Sequence, residues 1–197
     1  MLHFLPSSLG FALMLALWPL AHQRRDFWDH SVIILRKAMF SKEVGGRLIA
    51  ARGFLHMMVQ DLKAPPRWSS GPTSDSASSS QLSLSQIEAF AGGNGPKGLL
   101  KEQKGFLRRC LTQQASIRRV VYDGLAKVVL TDADALEPVL ELLMPQFYRF
   151  YETDERLPAP LKLDACVAVR NGASRLVEPL SAQLACVRRL LLMHRNS

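Results

Sequence analysis

Two long stretches in which apolar residues recur at steps of three and four flank a tract dominated by serine, and this arrangement narrows the available folds more than any other feature. In the first stretch, Leu48, Ala51, Leu55, Met58 and Leu62 keep the spacing that lays one apolar stripe along a helix. Just before them, Ser31–Phe40 (SVIILRKAMF) places Val32, Leu35 and Met39 on one stripe, with Ile34 and Ala38 beside it. Ser41 is positioned to cap the next helix, which enters through Gly45-Gly46 and runs from Leu48 to Leu62. Pro65-Pro66 stops that helix, and residues 69–85 then hold a single acid, Asp75, among serines. Such a composition buries too little apolar surface to offset its ordering entropy, so the tract reads as a long disordered loop.

After a short helical signal at Ser85–Ala91 and a break at Gly92–Pro96, the second stretch begins near Leu99. Phe106, Leu107, Cys110 and Leu111 share a face, and Ala115–Leu130 continues with Ile117, Val120, Val121, Leu125 and Val128-Val129. Thr131-Asp132-Ala133-Asp134 is a capping signal, with a hydroxyl at the N-cap and acids in the first turn of a helix carrying Leu136, Val139, Leu140, Leu143, Phe147 and Phe150. Pro138 falls near that helix's first turn, and Pro145 predicts a kink. Leu161–Val169 fits helix or strand, and Pro179 opens a last helix ending near Met193. About seven helices follow, with no convincing strand run or hairpin turn. Several are apolar over more than half their circumference, as in stacked arrays. The expected fold is all-α, an α-solenoid of antiparallel helix pairs: one helical part over residues 1–63, a flexible Ser/Gly/Pro-rich loop over 64–98, and a second helical part over 99–197.

The start of the chain admits two readings. Leu9–Ala21 (LGFALMLALWPLA) has the outline of a secretory signal, which would make this a secreted or membrane-anchored helical protein. Against that, no Lys or Arg precedes the run, Arg24-Arg25 follows it, and no Asn-x-Ser/Thr acceptor occurs. The run is also shorter than the ~20 apolar residues that cross a bilayer, and Pro19 interrupts it. The other reading is a helix buried on most sides within a helical array.

Catalytic constellations are missing: there is no H-E-x-x-H, no G-x-S-x-G and no C-x-x-C, and the five histidines lie apart. Three widely spaced cysteines exclude a disulfide scaffold and a Cys-based zinc site. Gly93–Gly98 matches G-x-G-x-x-G letter by letter, but serines rather than a strand precede it, so it reads as a linker. No enzyme activity, metal or cofactor is expected. The net charge is +8, with a pI near 9.8, which favours an anionic partner. Between Glu102 and Asp123 no acid occurs, yet Lys104, Arg108, Arg109, Arg118 and Arg119 lie there. Lined along one groove they would track a phosphate backbone; the alternative is a solvated polar face. Lys37 falls between Ile33, Ile34 and Phe40, where its stem can lie on an apolar partner surface with the ammonium at the rim, or merely snorkel. Ser80-Gln81 and Ser85-Gln86 are Ser-Gln pairs, the minimal pattern of checkpoint kinases, and Ser85 also starts a capping box, Ser85-Gln86-Ile87-Glu88.

Taken in order, Ile33–Phe40 (IILRKAMF), Ser78–Gln86 (SSSQLSLSQ), Leu107–Tyr122 (LRRCLTQQASIRRVVY) and Pro160–Cys166 (PLKLDAC) resemble the Fanconi anaemia group I family. The likeness falls in a middle solenoid section of a longer protein. It implies a nuclear, chromatin-associated α-solenoid that pairs with the paralogous Fanconi anaemia group D2 protein, clamps double-stranded DNA and acts in interstrand cross-link repair. It further implies no membrane partner, conjugation of a single ubiquitin by its ligase machinery to Lys37 within R-K-A-M-F, and phosphorylation by a checkpoint kinase at Ser80 and Ser85. A third Ser-Gln pair of the family pattern, between those two, is missing here.

Overall fold

The structure is a computed structural model and describes residues 6–63, 96–154 and 156–196. Its first helices are α1 (Ser7–Gln23), α2 (Arg25–Met39) and α3 (Val44–Lys63). A single extended residue, Arg24, separates α1 from α2: its N–H closes α1 on the Leu20 carbonyl, and its own carbonyl accepts from Phe27 and Trp28. A connection that short folds the second helix back along the first. The α2–α3 turn is pinned by Ser41, whose Oγ accepts the Glu43 N–H at 3.1 Å.

Helices α4 (Pro96–Leu111), α5 (Ala115–Thr131), α6 (Leu136–Phe147) and α7 (Leu180–Asn196) complete the array. The most extensive helix–helix contact joins α3 to α5. It exists because Gly124 has no side chain where a Cβ would collide with Leu55. At Gly53 of α3 a Cβ would come within 2.6 Å of Leu35 and 2.8 Å of Met14, so this glycine lets α1 and α2 close on α3. Phe54 and Phe106, 4.5 Å apart, tie α3 to α4. One continuous core runs from Trp28 to Leu190 through Ile49, Met57, Ile117, Val121, Leu125 and Val139. Each such side chain contributes roughly 1.5–3 kcal/mol on burial, and the two helical parts therefore share their stabilisation. The fold is the all-α solenoid expected from the sequence.

Four expectations need correction. Where no hairpin was expected, β1 (Val167–Arg170) pairs antiparallel with β2 (Ala173–Leu176), after a 3-10 turn at Leu163–Cys166. Asn171 (φ 51°) and Gly172 (φ 75°) form its two-residue turn, the Asn-Gly pair whose backbone twist suits a tight hairpin. Every strand residue is exposed, so no burial holds the hairpin. Its base is fixed by the Cys166 carbonyl, which accepts from Val177 and Glu178.

Helix α1 is not buried on most sides. Met14, Trp18 and Ala21 meet the core, while Leu9, Leu13, Leu17 and Leu20 are exposed, Leu13 and Leu17 along an open groove shared with Ile34 of α2. Asp132, rather than Thr131, caps the next turn: its carboxylate accepts the Asp134 N–H at 3.1 Å, ahead of a 3-10 turn at Ala133–Ala135. Thr131 closes α5 instead, its hydroxyl donating to the Lys127 carbonyl. Pro96, Lys97 and Gly98, assigned to the loop, begin α4. Ser85–Ala91 and the rest of the serine tract lie outside the described residues. No helix among the described residues is long and apolar enough to cross a membrane.

Candidate functional site

Lys37 sits in the last turn of α2, on the face turned from the core. The helix buries Trp28, Val32, Leu35, Ala38 and Met39, which leaves Ile33 (44% exposed), Ile34 (44%), Lys37 and Phe40 (64%) facing outward. The steps Ile33 to Lys37 and Ile34 to Lys37 make these residues neighbours on the helix surface. Two cations in the last turn, Arg36 and Lys37, also suit the negative end of the helix dipole. Lys37 is thus exposed on the same face as Ile33, Ile34 and Phe40.

Phe40 is the C-cap of α2, its N–H closing on the Lys37 and Ala38 carbonyls. Two consecutive contacts tie this helix end to α4. Inside, Cys110 Sγ meets Met39 Sδ at 3.8 Å. Outside, the Arg109 guanidinium lies over the Phe40 ring, 4.4 Å from its centroid. Sequence reasoning had placed Arg109 only among candidate phosphate contacts.

The structure separates the five basic residues proposed for DNA. Arg108, Arg109 and Arg119 are exposed. Lys104 is ion-paired, its Nζ 2.6 Å from Glu141 Oε2, and the pairing holds the Glu141 carboxyl below the usual carboxylate range. Arg118 is not on the solvated face. It is 7% exposed, and its Nε lies 3.0 Å from Glu178 Oε2 in the interior. Arg118 shares its helix row with Tyr122 at i+4, and that row faces the core.

Around the Arg118–Glu178 pair is a buried polar cluster that sequence reasoning missed. Tyr122 Oη donates to Glu178 Oε1 at 2.7 Å, and Gln146 Nε2 to Glu178 Oε2 at 3.0 Å. Gln183 Nε2 reaches Tyr122 Oη at 3.4 Å. The cluster joins α5, α6, α7 and the segment after β2. Burial and the hydrogen bond to Glu178 raise the Tyr122 phenol above its ordinary range. A signal was present in the sequence: Glu178 is the one acid after Asp164, set between Val177 and Pro179.

No group of three or more His, Cys, Asp or Glu side chains among the described residues could hold a metal ion. Ser80 and Ser85 lie outside those residues.

Comparison with known proteins places this geometry in a family. Residues 1–55 match the family model described as FANCI solenoid 2, and residues 71–197 match FANCI helical domain 2. The Fanconi anemia group I protein of Gallus gallus is 28% identical over 196 residues, covering 100% of this chain and 14% of the relative. The homologous protein of Mus musculus is 30% identical over 195 residues, covering 99% of the chain and 14% of the relative. The chain belongs to the Fanconi anaemia group I (FANCI) family. It spans 14% of the length of these curated relatives.

Proposed function

We propose that this chain is the section of a non-enzymatic Fanconi pathway scaffold that carries its regulatory lysine. In this reading the protein works in the nucleus on chromatin, in interstrand cross-link repair, paired with its group D2 paralogue around double-stranded DNA. Lys37 accepts a single ubiquitin. Residues 1–63 and 99–197 supply the helical framework on either side of the 64–98 loop. A checkpoint kinase modifies Ser80 and Ser85 in that loop, each phosphate adding about −1.5 to −2 charge that basic side chains could receive.

The observation that carries this reading is the setting of Lys37, exposed at the end of α2 with Ile33, Ile34 and Phe40 open beside it. Conjugation needs an accessible amine on a surface that a protein partner can cover. The ammonium first loses a proton to solvent. Its Nζ then attacks the carbonyl carbon of a ubiquitin thioester; the C–N bond forms, the C–S bond breaks, the thiolate leaves, and the second proton lost from Nζ passes through solvent to that thiolate. The chain's part is to present the amine, so it needs no catalytic group of its own. For DNA, Arg108 and Arg119 remain the phosphate contacts, with Arg109 engaged on the Phe40 ring, Lys104 compensated by Glu141 and Arg118 withdrawn into the interior.

The test is Lys37→Arg in the full-length protein, assayed with its paralogue, duplex DNA and the conjugating enzymes. Arginine keeps the charge and removes the acceptor amine. Loss of mono-ubiquitination supports the assignment, and undiminished conjugation refutes it. Phosphorylation mapping after DNA damage tests the loop, and finding neither Ser80 nor Ser85 modified removes that part.

A further inference from the structure

We propose that Arg109 is the positioning residue of the Lys37 site, acting through the ring of Phe40. The inference rests on Lys37 as the acceptor and adds how that acceptor is held. Lys37 occupies the last turn of α2, where helices fray because their final carbonyls lack intrahelical donors. The turn is closed here by the N–H groups of Phe40 and Ser41, on the carbonyls of Lys37 and Ala38. Whether it stays closed depends on how firmly Phe40 is held. Phe40 is 64% exposed, and the guanidinium lies over its ring 4.4 Å from the centroid.

The path is short and made of named contacts. Arg109 on α4 stacks on Phe40, the C-cap of α2; Phe40 closes the turn, and the turn carries Lys37. Met39 and Cys110, one residue further in on each helix, keep the two backbones together whether or not the stack forms. Losing the stack therefore loosens the helix end without opening the core. Transfer of an acyl group to an amine depends steeply on how well the amine is oriented, so a loosened turn lowers the rate while leaving the lysine in place. The stacked ring also forms one edge of the apolar rim beside Lys37, so the same contact sets the shape a conjugating partner meets. An arginine stacked through its flat face suits this role, because a cation on an aromatic face is held without being buried.

The experiment uses the full-length protein with its paralogue and conjugating enzymes. Single-turnover ubiquitin transfer is read with and without duplex DNA, for Arg109→Ala, Arg109→Lys, Arg109→Gln, Phe40→Leu and the Arg109→Ala/Phe40→Leu pair. Expected is a loss of roughly 2- to 5-fold for Arg109→Ala, the size of an exposed cation–π contact. The same loss should appear with and without DNA. Arg109→Lys, which keeps the charge but not the flat face, should recover part of the rate and Arg109→Gln none of it, while the unfolding midpoint stays where it was. Phe40→Leu should match Arg109→Ala, and the pair should be no worse than either alone. An unchanged rate in Arg109→Ala, equal rescue by glutamine, additive losses in the pair, or an effect seen only with DNA overturns the proposal. Lys37→Arg, run alongside, separates the two claims. If it abolishes transfer while Arg109→Ala is neutral, only the role of Arg109 falls. If transfer persists without Lys37, both fall.

Discussion

Arg118 Nε lies 3.0 Å from Glu178 Oε2, and the carboxylate of Glu178 is fully buried. Charges leave water only where their partners are in place, and here the carboxylate also accepts from Tyr122 and Gln146. Side chains from α5 and α6 meet on this one group, and α7 joins the cluster through Gln183 on the Tyr122 hydroxyl. It fixes how the last third of the molecule sits on α5, and it turns an arginine that the sequence offered to DNA into part of the framework.

Removing the carboxylate leaves the guanidinium without its counter-charge, with only the Leu111 carbonyl still accepting from Nη1 at 3.4 Å, and leaves the Tyr122 and Gln146 donors buried without that acceptor. Glu178→Ala is expected to weaken local stability by about 3–5 kcal/mol, as when one partner of a buried pair is deleted. Hydrogen exchange in the full-length protein checks this: the amides of α5 from Arg118 to Ala126 should exchange far faster, with those of α1 unaffected. Protection unchanged at Arg118–Ala126 would show that the cluster is not what holds α5.

Raised pKa values make the fold sensitive to alkali. Burial pushes the Cys110 and Cys186 thiols up to about 12, and burial with the Glu178 contact raises the Tyr122 phenol. Each group keeps its proton in the folded chain at a pH where the unfolded chain has released it. The stability they contribute is whole below the unfolded values, about 8.5 for Cys and about 10 for Tyr, and is lost as pH rises towards the folded ones. The thermal midpoint, read from near-ultraviolet circular dichroism, should fall steadily from pH 8 upward by this mechanism. Tyr122→Phe should flatten the fall above about pH 10. A midpoint independent of pH across that range would contradict the burial of all three groups.

The basic side chains should divide by their surroundings. Arg108→Ala and Arg119→Ala are each expected to weaken duplex binding by the full-length protein and to reduce its salt dependence by about one counterion. Lys104→Ala should do less, since Glu141 already compensates that charge. Arg118→Ala should act on α5 protection instead. Fluorescence anisotropy on duplex DNA across a salt series makes the comparison, and an equal loss from all four would mean that the interior placement of Arg118 is wrong.

Much of this was legible because helical periodicity is a strong signal. The stripes through Val32–Met39 and Ile117–Val129 became the buried faces of α2 and α5; in α3 Ala51, Leu55 and Met58 are buried as expected, Leu48 and Leu62 are half-buried, and Ile49, Phe54 and Met57 bury a further face that the stripe leaves out. The outward setting of Lys37 followed from the same period, since the residues around it are the ones the stripe leaves out. Arg118 was misplaced because its charge outweighed its position: it stands between Ile117 and Val121 and one turn before Tyr122, on the row that the helix buries. The hairpin was lost through weak alternation. Val167 and Val169 give only two apolar positions on a strand that is exposed on both faces, and the decisive mark was Asn171-Gly172. The exposed side of α1 could not be read from composition, because an apolar helix does not say how many neighbours it has. The Arg109–Phe40 stack joins residues far apart in sequence, and no local spacing announces it.

The most direct measurement is peptide mapping by mass spectrometry of the full-length protein after ubiquitin conjugation in the presence of its paralogue and duplex DNA. The expected result is an isopeptide-linked Gly-Gly remnant on Lys37 and an unmodified Lys42, five residues further along the same connection. A remnant on Lys42 or elsewhere, with Lys37 unmodified, would contradict the assignment of the acceptor to the end of α2.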